Sequence, residues 1–378
     1  MTSSILVLPL LLSQLPAGPL PLQYEPDRGY LLSLLKTLDI PLSSQTLVFS
    51  KTSAQFPLIF PAAPRAIYFN DDTYVGWVRG GDFLEVSYAD PVRGATFHVI
   101  EQDPSRKPRL AQREICLQCH ESSRTHSIPG HLMRSVHPEP TGYFHTNRSN
   151  FITDDTSRFE ERWGGWYVTA KKSLNFPHMG NQIYPTVETP RALQPFDNPT
   201  WPSSSSDVVA LLVLGHQVAG HNHLAWLDHE SRAALALQHT MNQMDQKEDK
   251  VSTWSASTQR RVARAIESAV RYLTFADEEP LPQRIEGDTD FAKDFEKRGP
   301  LRKFNLETRL FEYPLSYLIE SKSIDHLDPV IRLQFLQRIQ EVLLQEAGRG
   351  DYKKLDPEKA KEAYRIFEQT HPAKAKVQ

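Results

Sequence analysis

Residues 65–100 read RAIYFNDDTYVGWVRGGDFLEVSYADPVRGATFHVI. Four β-branched or aromatic runs stand out: Arg65–Phe69, Tyr74–Val78, Phe83–Tyr88 and Thr96–Ile100. Between them lie Asn70-Asp71-Asp72, Gly80-Gly81 and Asp90-Pro91. These are turn residues for physical reasons: Asn and Asp bond backbone two residues on, Gly enters positive φ, and Pro pre-sets its own φ. Strands at this spacing predict an antiparallel meander or small sandwich.

Upstream, Thr46–Phe49 reads as a further strand, and Tyr30–Leu38 as a short amphipathic helix ended by Ile40-Pro41. Downstream the pattern changes. Eleven prolines from Pro104 to Pro202 forbid long helices, and only Trp163–Thr169 looks strand-like. A segment this long without regular structure needs something other than a backbone ladder to organise it, such as a cofactor. Ser203–Ser206 and Asp207 then supply an N-cap for a long helix over Val208–Gln246. A second helix is predicted over Ser257–Leu273, followed by an acidic, Pro-containing linker, Asp277–Asp290. Further helical patterns occupy Phe291–Arg298, Pro314–Glu320, Val330–Glu346 and Pro357–Thr370. The expected class is α+β: an antiparallel β-rich part (28–110), an irregular middle segment (111–206) and an α-helical part (207–378) packed as one unit with that segment.

Residues 1–27 stand apart. Ile5–Leu12 is an eight-residue apolar run, too short for the ~20 residues that span a bilayer. Its length suits the centre of a secretory signal, with small residues near Ala17, although no Lys or Arg precedes Arg28. The competing expectation is an apolar arm packing on the body. No other stretch is apolar enough for a transmembrane span. The 378 residues carry 43 basic and 46 acidic side chains and no long Lys/Arg block, which argues against a nucleic-acid partner held by phosphate contacts.

Only two cysteines occur, so a disulfide scaffold is excluded. They stand in Cys116-Leu117-Gln118-Cys119-His120, the C-x-x-C-H pattern of covalent c-type haem attachment. On one helical turn, residues three apart share a face, so both sulfurs can reach the vinyl groups on one porphyrin edge. His120 then lies under the ring as the proximal iron ligand. Two other readings compete. A thioredoxin-type pair would want a strand before it and an apolar helix after it. Zinc would need more ligands than two cysteines and His120, with His126 or His131 to complete the set. The motif therefore predicts one haem c per chain.

Of 14 histidines, 12 lie between His98 and His239. For the sixth iron position, Met179 in Pro177-His178-Met179-Gly180-Asn181 is the first candidate, and His178 beside it is the rival. Another histidine or an open iron completes the alternatives. His131 follows Pro129-Gly130, a turn that could return the chain to the haem. On the long helix His216 and His223 share a face, whereas His216 and His221 diverge by about 140°. Arg124, Arg134 and Arg162 are candidates for pairing with haem propionates. Trp163-Gly164-Gly165-Trp166-Tyr167 reads first as a core strand and second as an aromatic wall for the porphyrin.

These residues resemble a group of large bacterial monohaem "cytochrome c domain" proteins of undefined biochemical role. The similar pieces are Ser44–Ser53, Pro64–Asp71, Cys116–His120, Arg162–Thr169, His178–Asn181 and Phe304–Leu310. The resemblance implies an exported haem c protein, periplasmic or surface-held, and little about a reaction. Extracytoplasmic single-electron transfer to a redox partner protein is the first functional expectation. A haem enzyme or sensor of peroxide or a small gas, with an open distal site assisted by His131, His178 or Arg134, is the second. A binding module with a structural haem is the third.

Overall fold

In the computed structural model, which describes residues 18–372, the three turns within 65–100 form as their side chains dictate. Asn70 Oδ1 accepts from the N–H groups of Asp72 and Thr73 at 3.2 and 2.9 Å. Asp90 Oδ1 accepts from Val92 and Arg93, both at 2.9 Å. Gly80 takes a φ of +69°. The product is a six-stranded antiparallel meander in chain order: β1 (Thr46–Val48), β2 (Arg65–Phe69), β3 (Thr73–Trp77), β4 (Phe83–Asp90), β5 (Gly94–Glu101) and β6 (Ala111–Gln112). The longest pairing, β4 with β5, runs from Phe83 opposite Glu101 to Asp90 opposite Gly94.

Period-two alternation gives the sheet two different faces. Tyr68, Val75, Trp77, Leu84, Val86 and Ile100 form one face, closed over by Leu31, Leu34 and Leu35 of α1 (Leu31–Thr37). Arg65, Phe69, Tyr74, Glu85, Ser87 and Phe97 lie on the other. The Cys116–His120 motif spans a 3₁₀ turn, Glu114–Cys116, and the single turn α2 (Leu117–His120). The rest of the middle segment holds two small antiparallel pairs, β7 (Arg134–Ser135) with β8 (Phe151–Ile152) and β9 (Gln182–Ile183) with β10 (Arg191–Ala192).

The expected strand at Trp163–Thr169 does not form. Trp163 and Gly165 take φ of +65° and +88°, which breaks an extended ladder. A Cβ on Gly164 would stand 2.1 Å from the Val136 carbonyl, so close packing rather than strand pairing governs this stretch. It makes only two isolated bridges, Trp166 to Val48 and Thr169 to Asp207. Trp163 and Trp166 are core residues, 0% and 4% exposed, as the first reading of that run had it.

The long helix is α3 (Val208–Met244), capped by Asp207, whose carboxylate accepts from Val209 N–H at 2.7 Å. It packs along α4 (Ala256–Leu273). Then follow α5 (Phe291–Glu296), α6 (Lys322–His326), α7 (Pro329–Glu341) with a π turn over Val342–Glu346, and α8 (Pro357–Thr370). The helix expected at Pro314–Glu320 is only a 3₁₀ turn, Tyr317–Glu320, because Ser316 ends the preceding chain as its cap. Among the described residues no helix is long and apolar enough to cross a membrane. The Ile5–Leu12 run, and with it the signal and arm expectations, lies outside the described residues; Leu20 is buried in the α1 cluster.

The three parts do not keep separate cores. Trp163, Trp166 and Val168 join the helical cluster, while Tyr167, Ile183, Phe196 and Trp201 join the cluster around α1. A buried polar bridge also spans them. His216 on α3 donates from Nδ1 to Asp155 Oδ2 at 3.1 Å, and its Nε2 lies 2.7 Å from Ser316 Oγ. The ring is sandwiched by Tyr272 and Phe275, with centroids 5.4 and 4.6 Å away. The Ser–His–Asp order is that of a hydrolase triad, but Ser316 is 0% exposed, so the bridge is structural.

Burial pushes the Asp155 carboxyl up, yet His216, together with Tyr272 and Arg162, outweighs it and holds the group below its ordinary range. The folded state therefore gains from the ionised form above the unfolded value of about 3.9 and loses that gain as pH falls through the lower folded value. His216→Ala should destabilise the protein by ~3–5 kcal/mol in denaturant titrations at pH 7, since it strands a buried carboxylate. Asp155→Asn should make stability less sensitive to acid below about pH 4 than it is in wild type.

Candidate functional site

β6 carries the chain along the edge of β5, with His98 opposite Gln112, and Arg113 N–H donates to the Phe97 carbonyl at 2.9 Å. That bond sets where the sheet edge releases the chain into the Cys-x-x-Cys turn. Cys116 is half-buried and Cys119 exposed, one helical turn apart, and both are free thiols. Ile115 beside them is 59% exposed, an apolar side chain with little cover.

His120 packs on the sheet, its ring centroid 4.5 Å from that of Phe97. Its Nδ1 lies 3.0 Å from the Gly130 carbonyl, and Gly130 N–H donates back to the His120 carbonyl at 2.8 Å. A carbonyl can only accept, so Nδ1 carries the proton and Nε2 keeps its lone pair. Burial lowers the His120 pKa, which keeps the ring neutral at pH 7. A neutral imidazole held through one nitrogen by a backbone carbonyl is how proteins present the other nitrogen to a metal. The intervening loop is clipped shut by a Ser122–Thr125 capping box and a Glu121–Pro129 bridge. Pro129-Gly130 thus does return the chain to the motif: Gly130 supplies the carbonyl, and the His131 ring packs on the same Phe97 ring, with centroids 5.7 Å apart.

Neither competing reading of the cysteines gains from this geometry. Burial pushes the Cys116 thiol up and Glu85 adds to it, the reverse of the activated thiolate a dithiol redox pair needs. Among the described residues no three His, Cys, Asp or Glu side chains converge as metal ligands, and a zinc site would require that.

The chain matches no protein-family model, no curated protein and no solved structure.

The other expected residues are placed as follows. Met179 is buried, with Sδ 3.8 Å from Ser135 Oγ and its N–H on the Arg162 carbonyl. His178 accepts from Gly180 N–H at Nδ1, 3.0 Å, so its proton sits on Nε2; its ring packs against Trp163 and Phe176, and burial lowers its pKa to about 4. These contacts share no partner with those of His120. His131 Nε2 lies 3.1 Å from Ser87 Oγ, and its backbone is clamped by the Asn222 amide. His126 stacks on Trp226. As the helical spacing required, His216 and His223 both stack on Tyr272, while His221 turns to Tyr74, with Nδ1 3.0 Å from its hydroxyl.

Among the arginines, Arg162 is spent: it is buried, and Nε and Nη2 donate to the Ser157 and Asp155 carbonyls. It is a structural residue and not available to a propionate. Arg124 is exposed. Arg134 lies over the Phe144 ring at 5.2 Å, and its buried Nε has no partner. A cavity of about 640 Å³ opens at the Phe83 end of the sheet and is lined by Arg113 but by none of Cys116, Cys119 and His120.

The exposure difference between the two thiols is testable in the haem-free protein. With limiting iodoacetamide at pH 8, Cys119 should be alkylated several-fold faster than Cys116. Peptide mass spectrometry showing equal rates would contradict the half-buried placement and raised pKa of Cys116.

Proposed function

We propose that the chain is a c-type cytochrome that carries one haem and serves single-electron transfer outside the cytoplasm. The observation that carries this reading is His120: a neutral imidazole within one turn of both cysteines, with Nδ1 fixed on Gly130 and Nε2 free. Cys116 and Cys119 would hold the group through thioether bonds, and His120 Nε2 would bind its iron. When bound, haem iron supplies a one-electron ferric/ferrous couple. The chain's part is to fix the His120 ring, to keep its tautomer, and to cover one side of the site with Phe97. The resemblance to bacterial monohaem cytochrome c domain proteins supports the reading. Covalent haem attachment implies export and a redox partner protein.

A second reading has its own observation. Met179 already engages Ser135, and His178 holds its proton on Nε2, so neither presents a free donor atom beside His120. This favours an open sixth position, and with it a haem enzyme or a sensor of peroxide or a small gas. The two readings part at the spin state.

A pyridine haemochromogen of c type at one haem per chain is expected, and Cys116→Ala with Cys119→Ala should abolish haem staining after denaturation. Staining that survives the double substitution would refute the attachment. A low-spin oxidised spectrum whose Met–iron charge-transfer band vanishes in Met179→Ala identifies the electron-transfer form. A high-spin spectrum with ready cyanide or carbon monoxide binding, unchanged in Met179→Ala and His178→Ala, identifies the open site.

A further inference from the structure

The sheet face beneath the Cys116–His120 turn carries an ion pair that no part of the attachment motif uses. Arg65 on β2 and Glu85 on β4 are separated by β3, and they reach each other because Gly76, opposite Glu85, has no side chain. A Cβ on Gly76 would stand 2.7 Å from Arg65 Nη2 and 2.9 Å from Glu85 Oε2, so the pair lies flat on bare backbone. The two side chains are 19% and 18% exposed.

Their hydrogen bonding is unequal. Glu85 is well satisfied: beyond the Arg65 contact through Oε2, Oε1 accepts from Ser53 Oγ at 2.5 Å and from Gln55 Nε2 at 3.3 Å. Arg65 is not, because its Nε is buried and has no acceptor. A buried donor in this state asks for a partner. The strand register puts that donor beside the motif. Glu85 shares its face with Ser87, Phe97 lies opposite Ser87, and the Phe97 ring carries His120. Diagonal neighbours on such a face are ~7–8 Å apart. Arg134, the other arginine near the motif with an unpartnered Nε, stands over Phe144.

We infer that Arg65 is a binding residue for the group held at Cys116, Cys119 and His120, offering its Nε–H to a carboxylate of that group, and that Glu85 is the positioning residue that holds Arg65 across Gly76. The inference rests on reading the motif as a haem-attachment site. Arg65 would set the countercharge felt by the iron, a lever on reduction potential distinct from the axial ligands.

The test uses the haem-loaded protein and two readouts, haem stoichiometry by pyridine haemochromogen and midpoint potential by spectroelectrochemical titration. Arg65→Gln should lower the midpoint, with a roughly tenfold rise in the ferric-to-ferrous ratio at fixed potential, equal to about 59 mV for one electron. Glu85→Gln should raise it, since the Arg65 charge is then no longer neutralised. Arg65→Lys keeps the charge pair but has no Nε–H, so it should shift the midpoint in the direction of Arg65→Gln by less; it also serves if Arg65→Gln fails to fold. Lys361→Gln, on α8 away from the motif, should leave the midpoint unchanged. One haem per chain with an unmoved midpoint in the Arg65 variants, or an equal shift in Lys361→Gln, overturns the inference. A wild-type chain that takes up no covalent haem overturns the underlying reading instead.

Discussion

Two hydrogen bonds between residues ten apart, His120 and Gly130, hold the candidate site together. One fixes the imidazole, the other the backbone that carries it, and together they close the loop between them. Neither bond would be stable on an isolated turn of four residues, because a helix that short is dominated by its unsatisfied ends. Phe97 supplies the missing support by packing under the ring, and Phe97 is placed by the long β4–β5 ladder. The chemistry of one histidine nitrogen is thus referred back to the register of a hairpin.

The helical half contributes through polar residues on consecutive turns of α3. His216 bridges Asp155 to Ser316; Gln217 donates to Asn70 and Tyr74 while accepting from Tyr317; Asn222 clamps His131. Each of these side chains is buried and joins segments far apart in sequence. An apolar helix would bury as well, but these directional bonds fix its rotation and height relative to the sheet. The histidine excess has a structural explanation here: most of the histidines pin elements together, and His120 alone presents a free nitrogen beside the cysteines.

Much of the fold was legible because the signals were local. Asn70, Asp90 and Gly80 made the hairpin turns readable, and Asp207 made the start of α3 readable, since each acts on backbone within three residues. The Cys116–His120 turn was legible for the same reason. What failed was non-local. Trp163–Thr169 has strand composition, but its glycines serve a close approach to Val136 and Ser50, which no window of sequence reveals. Arg162 looked free as a surface cation and is tied to carbonyls of residues 155 and 157. Ser316 and Asp155 gave no signal, because their meaning lies in a partner 61 to 100 residues away. Arg65 and Glu85 were hidden likewise, as strand residues that only the β2–β3–β4 register brings side by side.

Trp166 and Tyr167 are neighbours in the chain and belong to different apolar clusters. The middle segment is therefore stitched through the whole molecule, unlike a lobe that could be cut away. A fragment holding only the Cys-x-x-Cys-His turn and its loop would lose Phe97, Asn222 and both walls of its support. The motif is short enough to be copied into any chain, yet the environment that makes His120 useful is not portable. Modular shuffling of this unit would have to move the sheet and the long helix with it.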